Sequence, residues 1–371
     1  MAELTSSIFA DYNATTPLCP PVVAAFNAWQ DVVGNMSSSH YFGQQVHGRY
    51  DDAQYRIKSL LNAHHFELFT CSSATEANHW FIYSILEGIE GCPRVIASQI
   101  EHPCVMAPLQ HYATEGCIDL QLCRVDRHGQ LDMAHFDELL TSNTVLVSVM
   151  LANNEIGSIQ PLQEIATKAS HVGALVHSDI VQAAGKIPID LANMPVDAVS
   201  LSSHKCYAPT GCGVLMVKSA ELLRPWLLGG SQQQKLRAGT VHVMGLDLFA
   251  AGLQYCYDAL PTCLDVHAWA NALCQASANV NLVIPLNDQV LWNTVPLVVA
   301  GQLSHDAMMR LDVMGVGVGT GSACSTGAVD VSPVIQAIGV KASEQASVIR
   351  LSFGYPTTMA ELRQVAEYLK A

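Results

Sequence analysis

The chain has 371 residues, half of them apolar and only 13% charged, with a formal net charge of −14 at pH 7. That length exceeds what one small core needs, so two domains, or one large α/β domain with an appendage, are expected. The lack of a basic cluster argues against nucleic acid or an anionic membrane as the main partner, and no apolar run approaches the roughly 20 residues of a membrane span.

The twelve cysteines are scattered and form no C-x-x-C pair, which reads as free thiols. Met1-Ala2-Glu3-Leu4-Thr5 shows no export signal, so a soluble, cytoplasmic protein is expected. In chain order, Asp11 to Pro17 is too polar for a strand, and Pro20–Val33 reads as a helix whose prolines suit its first turn. Gly34 to His40 is a loop, followed by a second helix pattern through Tyr55, Ile57, Leu60 and Leu61. Short β-type runs then alternate with helical ones: Phe66–Thr70 and Ala74–Leu86, Arg94–Ser98 and Cys104–Tyr112, Leu120–Val125 and Met133–Leu140, Val145–Leu151 and Leu162–Ser170. A strand at Ala174–Ser178 and an apolar run ending at Leu201 lead to Ser202-Ser203-His204-Lys205, and Val214–Val217 closes the series. Such alternation implies a mostly parallel sheet with helices on both faces.

A helix at Val241–Tyr257 is broken by Ala259-Leu260-Pro261, after which the pattern changes. Helices at Val266–Ala276, Ala307–Met314 and Thr358–Leu369 mix with strands at Asn281–Ile284, Val295–Val299, Val316–Val318 and Ser347–Ser352. The expectation is a large α/β domain over 15–258, with 1–14 and 259–371 forming a smaller α+β domain. Neither an internal repeat nor a low-complexity linker is visible, so the two should pack closely.

In an open parallel sheet ligands bind beyond the carboxyl ends of the strands, and those ends are rich in polar residues. Cys71-Ser72-Ser73-Ala74-Thr75-Glu76 opens a helix whose N–H groups could hold a phosphate, or could be an ordinary N-cap. Glu101-His102-Pro103, Asn153-Asn154-Glu155-Ile156-Gly157, and Asp179 with Gln182 each admit a plain structural reading as cap or surface group. Together with Lys205 they match what pyridoxal phosphate requires: a lysine for the aldehyde and an acid that keeps the pyridine nitrogen protonated. Gly315-Val316-Gly317-Val318-Gly319-Thr320-Gly321 is not a dinucleotide loop, since it lacks the third glycine at the needed spacing and any first βαβ unit.

With Ser202-x-His204-Lys205, Arg237-Ala238-Gly239-Thr240 and Gly321-Ser322-Ala323-Cys324 added to the motifs above, the chain resembles the cysteine desulfurases. These are fold-type I pyridoxal-phosphate enzymes of the class V aminotransferase group, and the resemblance runs from about Asp11 to the final helix. It implies a fold-type I transferase with pyridoxal 5'-phosphate held by Lys205 as a Schiff base. Asp179 would face the pyridine nitrogen, His102 would stack on the ring, Asn154 and Gln182 would address the ring oxygen, and Ala74, Thr75, Ser202 and His204 would hold the phosphate. It further implies a homodimer in which Thr240 reaches the neighbouring subunit's phosphate. Asn35 and Arg350 would bind the carboxylate of L-cysteine, and Cys324 would take the sulfur as a persulfide for a sulfur-acceptor protein. No metal is implied.

Several positions leave the family pattern: Met36 where proline is usual, Ser73 where glycine precedes Ala-Thr-Glu, Thr210 where lysine is common, Ser231 to Lys235, and Tyr355-Pro356. They surround the site without removing a named group. The chain also lacks the longer tail with which housekeeping members engage the iron-sulfur scaffold, which suggests another acceptor. Two alternatives stay open: a related lyase or aminotransferase, for instance one acting on selenocysteine, and a non-catalytic binding subunit.

Overall fold

A computed structural model of the chain describes residues 7–320 and 331–370. Its strands are β1 (Ile8–Ala10), β2 (Glu67–Cys71), β3 (Arg94–Ser98), β4 (Asp119–Cys123), β5 (Thr144–Ser148), β6 (Leu175–Asp179), β7 (Ala198–Ser202), β8 (Gly213–Val217), β9 (Val280–Leu282), β10 (Thr294–Val299), β11 (Val316–Thr320) and β12 (Val348–Ser352). A seven-stranded sheet runs β2-β8-β7-β6-β5-β3-β4. All its strands are parallel except β8, which is antiparallel to both neighbours.

The fold is α/β, and its central strands show why. Every residue of β7 and β8 is buried, as expected of strands covered on both faces. On one face Val46, Ile57, Ile165, Leu246 and Phe249 pack against Val147, Val176 and Val199. On the other, Trp80, Phe81, Val105 and Leu109 pack against Phe69, Val95, Leu146 and Leu215. Edge strand β4 is mostly half-buried.

The second sheet, β1-β11-β12-β10-β9, has five strands, and only β1 and β11 run parallel. Helices Val266–Gln275, Ser304–Val313 and Met359–Lys370 cover it through Val266, Leu273, Leu311, Leu362 and Val365. A further apolar cluster joins Ile100, Val125 and Ile156 of the large sheet's loops to Ile284, Val298 and Ile335, so the two sheets share a packed boundary.

Three details correct the expectations. The first helix spans Pro20–Ala28, not Pro20–Val33, because the chain turns at Trp29 and the indole bonds Asp247 at 2.7 Å. Strand β1, which the polar stretch beside it conceals, forms by pairing with β11. The run at Val214–Val217 lies between β2 and β7, with β2 outside it at the sheet's edge. Among the described residues no helix is long and apolar enough to cross a membrane.

Candidate active site

The parallel strands and β2 end at one edge of the large sheet, and their polar continuations meet in a cleft of about 680 Å³, a size that suits a small ligand. After β2, Ser73 caps helix Ala74–Leu86 by accepting from the Glu76 N–H at 3.2 Å, while Glu76 accepts from the Ser72 N–H at 2.6 Å. This reciprocal cap is tied by Arg237, whose Nε donates to Glu76 at 2.9 Å. Gly213 of β8 permits the close approach, since a Cβ there would lie 2.2 Å from the Ser73 carbonyl carbon. The helix start at Ala74 and Thr75, with Ser202 and His204 opposite, lines the cleft and presents N–H groups suited to a phosphate.

After β7 the chain makes one 3-10 turn, Ser203–Lys205, pinned by Ser203 Oγ, whose single proton is shared between the Pro209 and Cys212 carbonyls at 2.5 and 2.8 Å. Lys205 Nζ donates to the backbone oxygens of Asn13 and Ala14 at 2.5 and 2.6 Å. Burial, helped by the Arg350 cation, lowers its pKa to about 8, so neutral amine is accessible near neutral pH. Asp179, the last residue of β6, accepts from Val181 N–H at 3.0 Å and Asn78 Nδ2 at 2.8 Å. Burial raises its pKa, against the pull of those donors and of His102 and Lys205.

His102 caps helix Pro103–Thr114, with Nδ1 accepting the Cys104 N–H at 3.2 Å and facing Cys104 Sγ at 2.9 Å. That contact places the ring proton on Nε2. Burial lowers the imidazole's pKa, which keeps it neutral.

The opposite wall belongs to the small sheet. Arg350 of β12 is buried, donating through Nη2 to Asp11 at 2.6 Å and through Nη1 to the Asn154 carbonyl at 3.0 Å. Its Nε, also buried, has no acceptor among the described residues. Gly319 makes room for this pair: a Cβ there would sit 2.6 Å from Arg350 Nη2 and 2.7 Å from Asp11 Oδ1. Ser332 donates to Glu155 at 2.6 Å, and burial pushes that carboxyl up to about 7.

Floor and wall meet at Asn13. Its N–H donates to Ser352 Oγ at 2.9 Å, and its Nδ2 to the Asn154 carbonyl and Thr294 Oγ1 at 3.0 and 2.9 Å. Its carbonyl accepts from Lys205 and from Gln182 Nε2 at 2.5 and 2.9 Å.

The structure therefore brings Ala74, Thr75, His102, Asn154, Asp179, Gln182, Ser202, His204, Lys205 and Arg350 to one cleft. Asn35 does not reach it: the residue is exposed and its Oδ1 is occupied by the Ser37 N–H at 3.0 Å. Thr240 is exposed just ahead of helix Val243–Ala259, away from its own chain's cleft. Cys324 lies outside the described residues. Sequence reasoning missed Asn78, Cys104 and Lys186, whose local surroundings carry no signal, and assigned no task to Asp11 or Asn13 within the quoted motif.

The cleft fits pyridoxal 5'-phosphate by the chemistry of its donors. It offers an amine of lowered pKa, a buried carboxylate suited to a protonated ring nitrogen, a helix start for the phosphate and an imidazole beside the ring's place. No group of three or more His, Cys, Asp or Glu side chains among the described residues is placed to hold a metal ion.

The family model of aminotransferase class-V matches residues 8–365. The chain is 33% identical to the cysteine desulfurase NifS of Azotobacter vinelandii, covering 97% of this chain and 91% of that one. It is 31% identical to the cysteine desulfurase IscS of Dictyoglomus turgidum over 98% of this chain and 93% of the relative. Among solved structures a NifS-like protein superposes with a TM-score of 0.90 at 26% identity, with 98% of each chain covered.

Proposed function

The chain belongs to the aminotransferase class-V family, and on that premise we propose that it is a pyridoxal-phosphate-dependent cysteine desulfurase that converts L-cysteine to L-alanine. The observation that carries this reading is the cleft itself, where Lys205, Asp179 and His102 of the large sheet face Arg350 of the small one. When bound, the cofactor supplies an electron sink that labilises bonds at the substrate's α and β carbons.

The chain's own residues do the rest. Lys205 holds the aldehyde, and its lowered pKa makes it a proton carrier at the substrate's α carbon. Asp179 keeps the ring nitrogen protonated, His102 packs on the ring, and Asn154 and Gln182 address the ring oxygen. Ala74, Thr75, Ser202 and His204 hold the phosphate. The substrate carboxylate goes to Arg350, which lines the cleft. Asn35 remains a proposed second donor to that carboxylate through its Nδ2, although it lies outside its own chain's cleft.

Cys324 is the proposed nucleophile. Its thiolate attacks the substrate sulfur, an S–S bond forms as the Cβ–S bond breaks, and the electron pair left on carbon is protonated to give alanine. The persulfide then passes to an acceptor protein.

We further propose a homodimer, in which Thr240 enters the neighbour's cleft. The exposed apolar side chains of Val33, Tyr41 and Leu228, at 73%, 68% and 86% exposure, support it. We assign 15–258 to the cofactor, and 1–14 with 259–371 to the substrate wall and nucleophile. A reducing, cytoplasmic setting suits thiols that are free at all eleven described cysteines.

The test is to supply L-cysteine to the purified protein and measure alanine and protein-bound persulfide with and without Cys324→Ala. Loss of both products in the variant is expected. Alanine formation indifferent to Cys324 would sink the reading.

A further inference from the structure

We propose that Lys186 is a positioning residue for the cofactor: by holding the side-chain oxygen of Gln182, it fixes that amide so that only N–H faces the cofactor's ring oxygen. The inference rests on the pyridoxal-phosphate reading above and assigns a task to a residue outside the cleft.

Lys186 is only 6% exposed. Its Nζ donates to Gln182 Oε1 at 2.6 Å and to Asn13 Oδ1 at 3.0 Å. Donating to both oxygens, Nζ settles the orientation of both amides. With Oε1 engaged, Gln182 turns Nε2 the other way; one N–H goes to the Asn13 carbonyl at 2.9 Å. The second N–H remains for the cleft that Gln182 lines. A flipped amide would aim its oxygen at an electron-rich ring oxygen and repel it.

The same ammonium orients Asn13. Its Oδ1 takes Lys186 and Asn293, each at 3.0 Å, which leaves Nδ2 for Asn154 and Thr294. The Asn13 carbonyl is thereby fixed where Lys205 bonds it.

The cost of this arrangement argues against mere packing. Lys186 bonds two neutral amide oxygens; Lys205 and Arg350 act on it as cations, and the Cys206 and Cys256 thiols pull the other way without reversing their effect. Burial first, then those cations, lowers its pKa to about 7. A buried cation without a counter-ion is expensive. Beside Tyr12, Tyr207 and Tyr355, with about 10 Å³ of free space, methionine would fill the volume at lower cost.

The experiment is a pH titration of the visible absorbance of the cofactor-loaded protein. A donor on the ring oxygen favours loss of the proton at the Lys205 linkage, so removing or misorienting it raises the midpoint. Lys186→Met is expected to raise it by about one pH unit and to weaken cofactor retention about ten-fold. Gln182→Ala should do the same, and the double variant no more than either single one. Gln182→Glu keeps Lys186 partnered and turns an acceptor toward the ring, so its midpoint must also rise; this variant decides the matter if Lys186→Met does not fold. A lowered melting temperature with an unmoved midpoint overturns the proposal, as does an unmoved midpoint in Gln182→Glu. A parent protein without the visible band would overturn the cofactor reading as well, whereas a band with an unmoved midpoint overturns the Lys186 assignment alone.

Discussion

The floor of the cleft comes from one sheet and its wall from another. On the floor, the ends of β7, β6, β5 and β3 lie side by side, with that of β2 beyond the antiparallel β8, and each continues directly into a polar loop or helix start. Their spacing is set by the sheet ladder, so the groups that face a cofactor are placed by backbone pairing. On the wall, Arg350 also sits in a ladder, opposite Pro296 and Gly319, and its guanidinium is then aimed by side-chain contacts, to Asp11 and across the boundary to the Asn154 carbonyl. In the proposed reading the loops and helix starts of the floor hold the cofactor, and the guanidinium of the wall receives the substrate.

The contrast can be broken by mutation. The largest effect is expected on the floor: Lys205→Ala should abolish the visible absorbance of the bound cofactor and lower alanine production by roughly 1,000-fold or more. Arg350→Gln on the wall should leave the absorbance intact and raise KM for L-cysteine about 10- to 100-fold, the range of a lost charge-assisted hydrogen bond; a change confined to kcat would show that Arg350 does not bind the carboxylate. Gly319→Ala should press on the Arg350–Asp11 pair and raise KM about five-fold, with cofactor content unchanged.

The smallest effect concerns the floor's stability. Burial pushes Glu101 up to about 8, although Ser98 Oγ and the Met150 N–H donate to it at 2.5 and 2.8 Å. The folded state therefore holds this proton more firmly than the unfolded chain, so raising the pH from its ordinary carboxylate range toward 8 costs stability. Glu101→Gln removes that penalty, and its melting temperature relative to the parent should rise by a few degrees between pH 5 and 8. A pH-independent gap would mean that Ser98 and Met150 suffice to hold the carboxylate charged.

The floor was legible in the sequence because buried parallel strands read as uninterrupted apolar runs, and each is followed at once by its functional residues. Asp179, Ser202 and Lys205 stand at such ends, where each alone reads as a cap or surface group and only their combination points to a site. The wall was legible only through resemblance. Strand β1 has three residues, too few to show alternation, and exists because β11 pairs with it from the far end of the chain. Lys186 follows Ala183-Ala184-Gly185 and looks like a surface lysine; its burial is a product of tertiary packing around it.

The junction at Asn13 has a consequence for the order in which the protein matures. Residue 13 completes its contacts only with residues 294 and 352, and Lys205 is anchored on its carbonyl. A ribosome-bound chain short of β12 can fold its large sheet, yet it holds neither Arg350 nor the clasp on the lysine's perch. Cofactor capture in its final geometry is thus postponed until synthesis is nearly finished, and a truncation of the last strand would unseat a lysine almost 150 residues upstream.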